Sequence, residues 1–205
     1  MSAGLNKEDV LRELFNIGVG QAASTLSEII DKKIVLKVPD VKILNTREGK
    51  IELEAFMKQV ASGAVMVSSI SFDHQLEGSV SLIFPAEKMH RFIDLCLHEE
   101  RDDMELMDFT DIDFDTIKEI GNIILNAIIG ELSNTIQIPV EYTLPEVGIL
   151  KSVRADAFVN DQLFHLVVLM YISFDIEGTE IEGAIVINMT LKSLDDIMNS
   201  LEKWL

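Results

Sequence analysis

The sequence predicts an α+β fold: a helix–strands–helix unit occurs twice with pseudo-twofold symmetry, and one shared, mostly antiparallel sheet is flanked by long helices. The first observation is a repeated set of polar residues. Asp9, Glu13, Asn16 and Pro39 recur 106 positions later as Asp115, Glu119, Asn122 and Pro145. The second is that the predicted elements restart in the same order after the middle of the chain. Because either half alone would leave strand edges open, we expect both halves to share one sheet with helices packed on it.

In the first half, apolar residues at mixed spacings of three and four predict a long helix over residues 7–31, with Asn6 as its N-cap. Valine, isoleucine and leucine predict strands on either side of a bend at Pro39. Pro85 suits the first turn of a following helix. The predicted strands are 33–38, 41–44, 64–72 and 76–84, and the predicted second helix is 86–97.

The second half repeats this order after an acidic stretch. The predicted helices are 113–135 and 191–204, and the predicted strands are 140–144, 147–150, 163–174 and 181–189. We therefore interpret residues 1–205 as a single domain of two repeats, about 7–98 and 111–205, which are joined by the acidic linker 99–110.

The composition limits the classes of partner. The chain has 35 acidic and 17 basic residues and a formal charge of −18, so it repels phosphate backbones and anionic lipids. We expect no nucleic-acid or membrane partner, and we expect a protein partner that presents lysines. The 48% of hydrophobic residues and the mean hydropathy of +0.24 are ample for a buried core.

Several features predict an intracellular, cytoplasmic protein. Cys96 is the single cysteine, which rules out an internal disulfide and a thiolate zinc site and is typical of a small buried apolar residue. The first seven residues lack a signal-peptide pattern, and no run of about 18 apolar residues predicts a membrane span. The most apolar stretch, 164–174, is interpreted as a buried strand.

The repeated polar residues fall on one side of each long helix. Positions i, i+4 and i+7 of a helix project together, so Asp9, Glu13 and Asn16 form a stripe, as do their counterparts in the second helix. The stripe continues through Gly20, Ser24 and Ser27 in the first helix and through Asn126, Gly130 and Ser133 in the second. We expect the opposite face of the first helix to be buried, namely Leu11, Leu14, Gly18, Ala22 and Ile29. The polar stripes should then face solvent.

For either copy alone, a solvated glutamate and an incidental asparagine would be the simpler explanation. Asparagine is unfavourable inside a helix, however, and two asparagines at the same spacing from glutamate need another cause. A glutamate and a carboxamide are too few groups for most self-contained hydrolases. They suit phosphoryl transfer, in which a carboxamide can orient an attacking water, provided that the phosphoryl group and its Mg²⁺ arrive on a protein substrate.

Two other patterns carry less weight. Alternating carboxylates at Asp111, Asp113 and Asp115 are reminiscent of a calcium loop but lack its glycine, so we interpret them as a solvated linker with an N-cap. The histidines, His74, His90, His98 and His165, show no metal-ligand spacing. We expect this chain to bind no cofactor or metal of its own.

The repeated motif resembles the CheC, CheX and FliY family of chemotaxis phosphatases, whose signature is Asp or Ser, then x₃-Glu-x₂-Asn-x₂₂-Pro. Both copies match it at full spacing, and the two sites in about 200 residues resemble the CheC form. The resemblance implies hydrolysis of the aspartyl-phosphate on a phosphorylated CheY-type response regulator, which would supply the Mg²⁺. The deamidase CheD is a further partner that the resemblance suggests.

The resemblance also assigns roles to individual residues. Asn16 and Asn122 would place the attacking water, and Glu13 and Glu119 would contact a lysine of the regulator. Asp9 and Asp115 would have supporting or helix-entry roles, and we place Gly20 and Asn126 with them. Pro39 and Pro145 would fix the strand bends.

Two non-enzymatic alternatives stay open at this stage. The same fold occurs in flagellar-switch components such as FliM, so the chain could be a non-catalytic module that binds CheY or CheD. It could also act mainly by sequestering CheY or CheD, with slow turnover incidental. Intact Glu and Asn at both sites favour the phosphatase.

Overall fold

Apart from α2, the described elements follow the same order in the two halves of the chain. The computed structural model describes residues 6–46, 48–98, 108–152, 154, 157–158 and 166–204. The first repeat contains α1 (Lys7–Ile30), β1 (Ile34–Lys37), β2 (Val41–Asn45), α2 (Lys50–Val60), β3 (Val65–His74), β4 (Gly78–Pro85) and α3 (Ala86–Leu97). The second contains α4 (Asp111–Ile136), β5 (Val140–Tyr142), β6 (Glu146–Leu150), β7 (Leu166–Ile176), β8 (Thr179–Met189) and α5 (Leu191–Trp204).

The eight strands of the described residues form one antiparallel sheet. Its order is β1-β7-β8-β4-β3-β5, with β2 beside β7 and β6 beside β3. The first pair of strands of each repeat therefore pairs with the long hairpin of the other repeat, and the two hairpins meet at the centre. This arrangement confirms the predicted α+β fold with one shared sheet.

Each edge of the sheet is a strand broken by a bulge that contains the repeated proline. Between the pairs Lys37↔Ser173 and Val41↔Met170, residues 38–40 stand opposite residues 171–172, which gives one extra residue. The same extra residue occurs at 143–145, opposite residues 70–71. Proline is tolerated there because it has no N–H to give to a ladder. Both prolines thus lie at the predicted bends.

The two faces of the sheet carry separate clusters of apolar side chains. Alternate residues of β7, such as Val168 and Met170, pack with the helices α1, α3, α4 and α5, whereas Val167 and Leu169 pack with α2 on the other face. The sequence pattern predicts no element over residues 50–60. Leu53, Phe56, Met57 and Val60 form the buried side of the helix that lies there.

The helix starts follow local capping chemistry. The Asn6 side chain accepts a hydrogen bond from the Glu8 N–H, so its predicted role as N-cap of α1 is confirmed. The second long helix begins two residues earlier than predicted, because Thr110 caps it and forms a capping box with Asp113. Asp113 is fully buried and is therefore part of a helix start, not of a solvated linker. Most of the acidic linker 99–110, namely 99–107, lies outside the described residues.

The predicted buried face of α1 is largely correct. Leu11, Leu14, Gly18 and Ala22 are buried, but Ile29 is 62% exposed. The buried residues Leu11, Phe15 and Val19 are spaced by four, which is slightly more than one helical turn. The buried side of α1 therefore shifts around the helix along its length, and Ile30 faces inward instead of Ile29. At Gly18, α1 approaches α4 so closely that a Cβ would lie 3.0 Å from the Ala127 carbonyl oxygen.

We expect Gly121→Ala to destabilise the fold, because α4 lies against β3 at this point. An added Cβ would lie 2.2 Å from Ser68 Oγ and 2.7 Å from Ser68 Cβ, and the latter atom cannot rotate away. Overpacking of this kind costs about 1–3 kcal/mol of unfolding free energy. Urea denaturation measures it, and Gly20→Ala is the matched control because nothing lies within 4 Å of its Cβ position. The control should gain about 0.5–1 kcal/mol from helix propensity. Equal midpoints for both variants would contradict the close packing.

Among the described residues, no helix is both long enough and apolar enough to cross a membrane. Cys96 is partly covered by its neighbours, and its burial raises the pKa of the thiol to about 12. The thiol is therefore protonated near neutral pH, and its predicted interpretation as a packing residue agrees with the structure.

Candidate functional site

The stripe on α1 is solvent-exposed at its start and held by protein atoms further along. Asp9 and Glu13 are exposed, and Asp9 forms an ion pair with Arg12 at 2.9 Å. Gly20 is exposed, whereas Asn16 is half-buried. The expectation of a solvent-facing stripe therefore describes Glu13 well and Asn16 only in part.

The Asn16 carboxamide holds the bulge of the first edge strand. Its Nδ2 donates to the carbonyl oxygens of Arg12 at 2.8 Å and Val38 at 2.9 Å, and its Oδ1 accepts from the Val38 N–H at 2.9 Å. Val38 is the bulge residue that precedes Pro39, and it is buried. In the motif, the asparagine lies 22 positions before the residue that precedes the proline. In the first repeat, the hydrogen bonds between the Asn16 side chain and the Val38 backbone give this spacing a direct physical cause.

The Asn122 carboxamide in the second repeat has different partners. Its Oδ1 accepts a hydrogen bond from Asn126 Nδ2 at 2.8 Å. Glu119 and Asp115 are exposed one and two turns before it, and Asn122 itself is half-buried. Asn126 Oδ1 is buried and has no hydrogen-bond partner among the described residues. Gly20 occupies the Asn126 position in the first repeat, so this contact has no counterpart there.

The two carboxamides consequently differ in what they can offer to a substrate. An asparagine side chain has two N–H donors and two acceptor lone pairs on its oxygen. Asn16 uses both donors and one lone pair on backbone atoms. Within the described part of the chain, Asn122 uses one lone pair, which leaves its N–H groups and the other lone pair for a ligand.

The end of each stripe has a structural role. Ser27 Oγ donates to the Ala23 carbonyl oxygen at 2.7 Å and accepts from the Ile34 N–H at 3.0 Å. Its counterpart, Ser133, donates to the Ile138 carbonyl oxygen at 2.6 Å. Both serines therefore fix the turn from long helix to edge strand, and the candidate site residues lie before them on each helix.

The two sites lie at opposite edges of the sheet. Helix α1 packs on β1 and β2, which form one edge, and α4 packs on β3 and β6 at the other. In the part of the chain that the structure describes, no three His, Cys, Asp or Glu side chains are grouped so that they could hold a metal ion. The carboxylates of Glu13 on α1 and Glu119 on α4 are exposed to solvent.

Comparison with known proteins agrees with the resemblance that the motif suggested. Residues 7–43 match the model of the CheC-like family. Over 151 residues, the chain is 28% identical to the CheY-P phosphatase CheC of Bacillus subtilis strain 168, covering 71% of this chain and 68% of that protein.

Solved structures of chemotaxis and flagellar-switch proteins share the fold. The crystal structure of Thermotoga maritima FliY matches with a TM-score of 0.74 at 21% identity and covers 99% of both chains. FliM in the FliG–FliM complex from H. pylori matches with a TM-score of 0.63 at 14% identity, over 93% of this chain and 96% of the other. The predicted CheC-like resemblance and the fold are both confirmed. At these identities, the structures indicate the fold alone.

Proposed function

We propose that this CheC-like chain hydrolyses the aspartyl-phosphate of a phosphorylated CheY-type response regulator, and that Glu119 and Asn122 form its working site. The observation that carries the proposal is the Asn122 carboxamide. It lies beside an exposed glutamate on α4 and keeps both donor and acceptor capacity for a ligand. The similarity to a CheY-P phosphatase supports this choice of substrate.

The reaction is attack of water on phosphorus. A new P–O bond forms to the water oxygen, the bond to the aspartyl oxygen breaks, and the products are inorganic phosphate, the free carboxylate and a proton released to solvent. The second lone pair of Asn122 Oδ1 can accept from the water while Nδ2 donates to a phosphoryl oxygen, which fixes both reactants in line. A divalent cation held by the regulator would offset charge on the phosphoryl group.

Asn126 acts on this step through Asn122. Its hydrogen bond to Asn122 Oδ1 restricts the rotation of the carboxamide, so that the remaining lone pair and the N–H groups keep fixed directions. In the first repeat, the Asn16 carboxamide is held by Val38 and by the Arg12 carbonyl oxygen, and these contacts together take both of its donors. We propose that the pair Glu13 and Asn16 contributes less, since Asn16 must release the carbonyl oxygen of Val38 or of Arg12 before it can donate to a substrate.

We expect Glu119→Ala to weaken recognition of the regulator more than it slows chemistry. The exposed carboxylate would pair with a lysine of the regulator, so its loss should raise KM about ten-fold with little change in kcat. Steady-state phosphate release at several regulator concentrations measures both constants. Glu54→Ala is the control, because it removes the same charge from α2 on the other face of the sheet. If both variants raise KM equally, net charge and not contact is responsible.

A second candidate function is a non-catalytic module that binds a CheY-type regulator, CheD or a flagellar-switch protein. The fold that the chain shares with FliM supports this second candidate function, because FliM is seen in complex with FliG. Both functions place the chain with cytoplasmic signalling proteins, and neither needs a metal or cofactor on this chain.

The deciding experiment measures inorganic phosphate released from a phosphorylated CheY-type regulator in the presence of Mg²⁺, with and without the purified chain. Acceleration that depends on Asn122 supports the phosphatase. Tight binding of the phosphorylated regulator without faster release supports the binding module.

A further inference from the structure

The long helix of each repeat lies over a different part of the sheet. Helix α1 makes its main strand contacts with the edge strands β1 and β2. Helix α4 makes its main strand contact with β3, which lies between β4 and the edge strands β5 and β6. The helix that carries Asn122 is therefore set closer to the centre of the sheet than the helix that carries Asn16.

The residues between helix and sheet differ in size at matching positions of the two repeats. Phe15 in α1 corresponds to Gly121 in α4, 106 positions later. Met170 in β7 and Ser68 in β3 also occupy matching places, because their partners in β2 and β6 are 106 positions apart. All four residues are buried. The first repeat thus has two large side chains where the second has two small residues.

Gly121 and Ser68 lie against each other. A Cβ on Gly121 would lie 2.2 Å from Ser68 Oγ and 2.7 Å from Ser68 Cβ, so no larger residue fits at position 121 while α4 keeps this place. The Ser68 hydroxyl has no hydrogen-bond partner in the described part of the chain, so hydrogen bonding does not account for the contact. The small volume of both residues does, because side chains as large as Phe15 and Met170 need more room between helix and strand.

The bulge of the second edge strand is held without Asn122. The Ser71 N–H donates to Thr143 Oγ1 at 2.9 Å, and the Thr143 N–H donates to the Ser71 carbonyl oxygen at 2.9 Å. The counterpart of Thr143 in the first repeat is Lys37, whose ammonium group cannot accept a hydrogen bond. There the Asn16 side chain holds the bulge instead. Helix α4 can therefore lie away from the second bulge without leaving that bulge unsupported.

We propose that Gly121 and Ser68 are positioning residues of the second site. Their small volume sets α4 over β3, which keeps the Asn122 carboxamide away from the edge strand and leaves its N–H groups for the substrate. The inference rests on the proposed function of that site. A larger residue at position 121 would move α4 outward. Asn122 would then donate to the backbone at Leu144, the position that matches the one to which Asn16 donates in the first repeat.

The test compares Gly121→Ala with the double variant Ser68→Gly/Gly121→Ala in the full chain. The added methyl group meets Ser68 in the single variant, whereas the double variant lacks both the Oγ and the Cβ that it would meet. The measurements are kcat and KM for phosphate release from a phosphorylated CheY-type regulator, per folded molecule, and Kd for the regulator activated with beryllofluoride.

We expect kcat to fall at least five-fold in Gly121→Ala, with KM and Kd within two-fold of the original, because the change acts on Asn122 and not on docking. The double variant should recover a kcat within two-fold of the original. Gly63→Ala is the control, since it adds a methyl group between α2 and β3 where nothing lies within 4 Å. It should leave all three constants unchanged.

Nuclear magnetic resonance follows the Asn122 side chain without any substrate. Its side-chain amide signals are identified by their absence from Asn122→Ala. They should move in Gly121→Ala and return in the double variant, because a new hydrogen bond to the edge strand changes their chemical shifts. Ser68→Thr enlarges the same contact from the strand side by one methyl group and should move kcat and these signals in the same direction. It decides the question if Gly121→Ala does not fold.

The outcomes separate this inference from the proposed function. If hydrolysis occurs and the enlarged contact keeps the original kcat and Asn122 signals, the positioning inference is overturned while the phosphatase stands. A fall in kcat that the double variant does not reverse also overturns it, since the loss would not come from the space between residues 68 and 121. If the unmodified chain does not hydrolyse the regulator, the phosphatase proposal fails. Asn122 signals that move and return then still support the positioning inference, and unchanged signals overturn it.

Discussion

Replacing Asn122 with alanine is expected to lower the rate of phosphate release from a phosphorylated CheY-type regulator by about 100-fold at saturating regulator. Loss of a single positioned hydrogen-bonding group in an active site commonly has an effect of about this size. The carboxamide is proposed to act on the water and on the phosphoryl oxygen in the transition state, so regulator affinity should change little. Binding would still rest on Glu119.

Single-turnover phosphate release with excess chain gives the rate of the chemical step, and titration with a beryllofluoride-activated regulator gives the affinity. Asn16→Ala is the matched variant at the same helix position in the first repeat. We expect it to retain more than half of the activity per folded molecule, because Asn16 has no spare donor in this structure. If the two variants lose activity equally, both sites contribute equally, and the proposal that Glu119 and Asn122 form the working site is wrong.

Much of the fold could be predicted because strong local signals set it. Periodic apolar residues placed the long helices, and Asn6 and Pro85 marked their starts close to where they occur. Two features needed tertiary information. Ile29 has the same residue type as the buried Ile30, and only the course of α1 across the sheet decides which one points inward. The second long helix, α4, begins at Asp111 because the buried Asp113 forms a capping box with the exposed Thr110, which a run of carboxylates does not reveal.

The site could be located from sequence, but the difference between its two copies could not. Asn16 and Asn122 have identical spacing to a glutamate and to a proline, and both lie in long helices. Their partners are set by other positions. Asn126 replaces Gly20 on the neighbouring turn, and Thr143 replaces Lys37 at the bulge. The effect of either replacement on the carboxamide can be predicted only when the relative positions of the long helix and the edge strand are known.

The largest effect on stability among the site residues is expected from Asn16→Ala. The Asn16 side chain satisfies the N–H and the C=O of Val38, a residue that is only 1% exposed. A buried backbone group that loses its partner costs about 1–3 kcal/mol, so two groups should cost about 2–6 kcal/mol. Alanine regains about 0.5 kcal/mol through its better helix propensity. We therefore expect the free energy of unfolding to fall by about 1.5–5.5 kcal/mol.

Urea denaturation followed by circular dichroism measures this loss, and Asn122→Ala is again the matched control. Asn122 bonds a side chain, Asn126, and not a buried backbone segment, so its replacement should cost less than about 1 kcal/mol. Amide hydrogen exchange gives a local readout, since freeing Val38 should speed exchange in β1 and β2 before the rest of the sheet. Equal stabilities for the two variants, with unchanged exchange in β1 and β2, would mean that Asn16 does not hold the bulge. The carboxamide of the first copy would then have N–H groups available for a ligand, like that of the second, and both sites would have to be treated as equivalent.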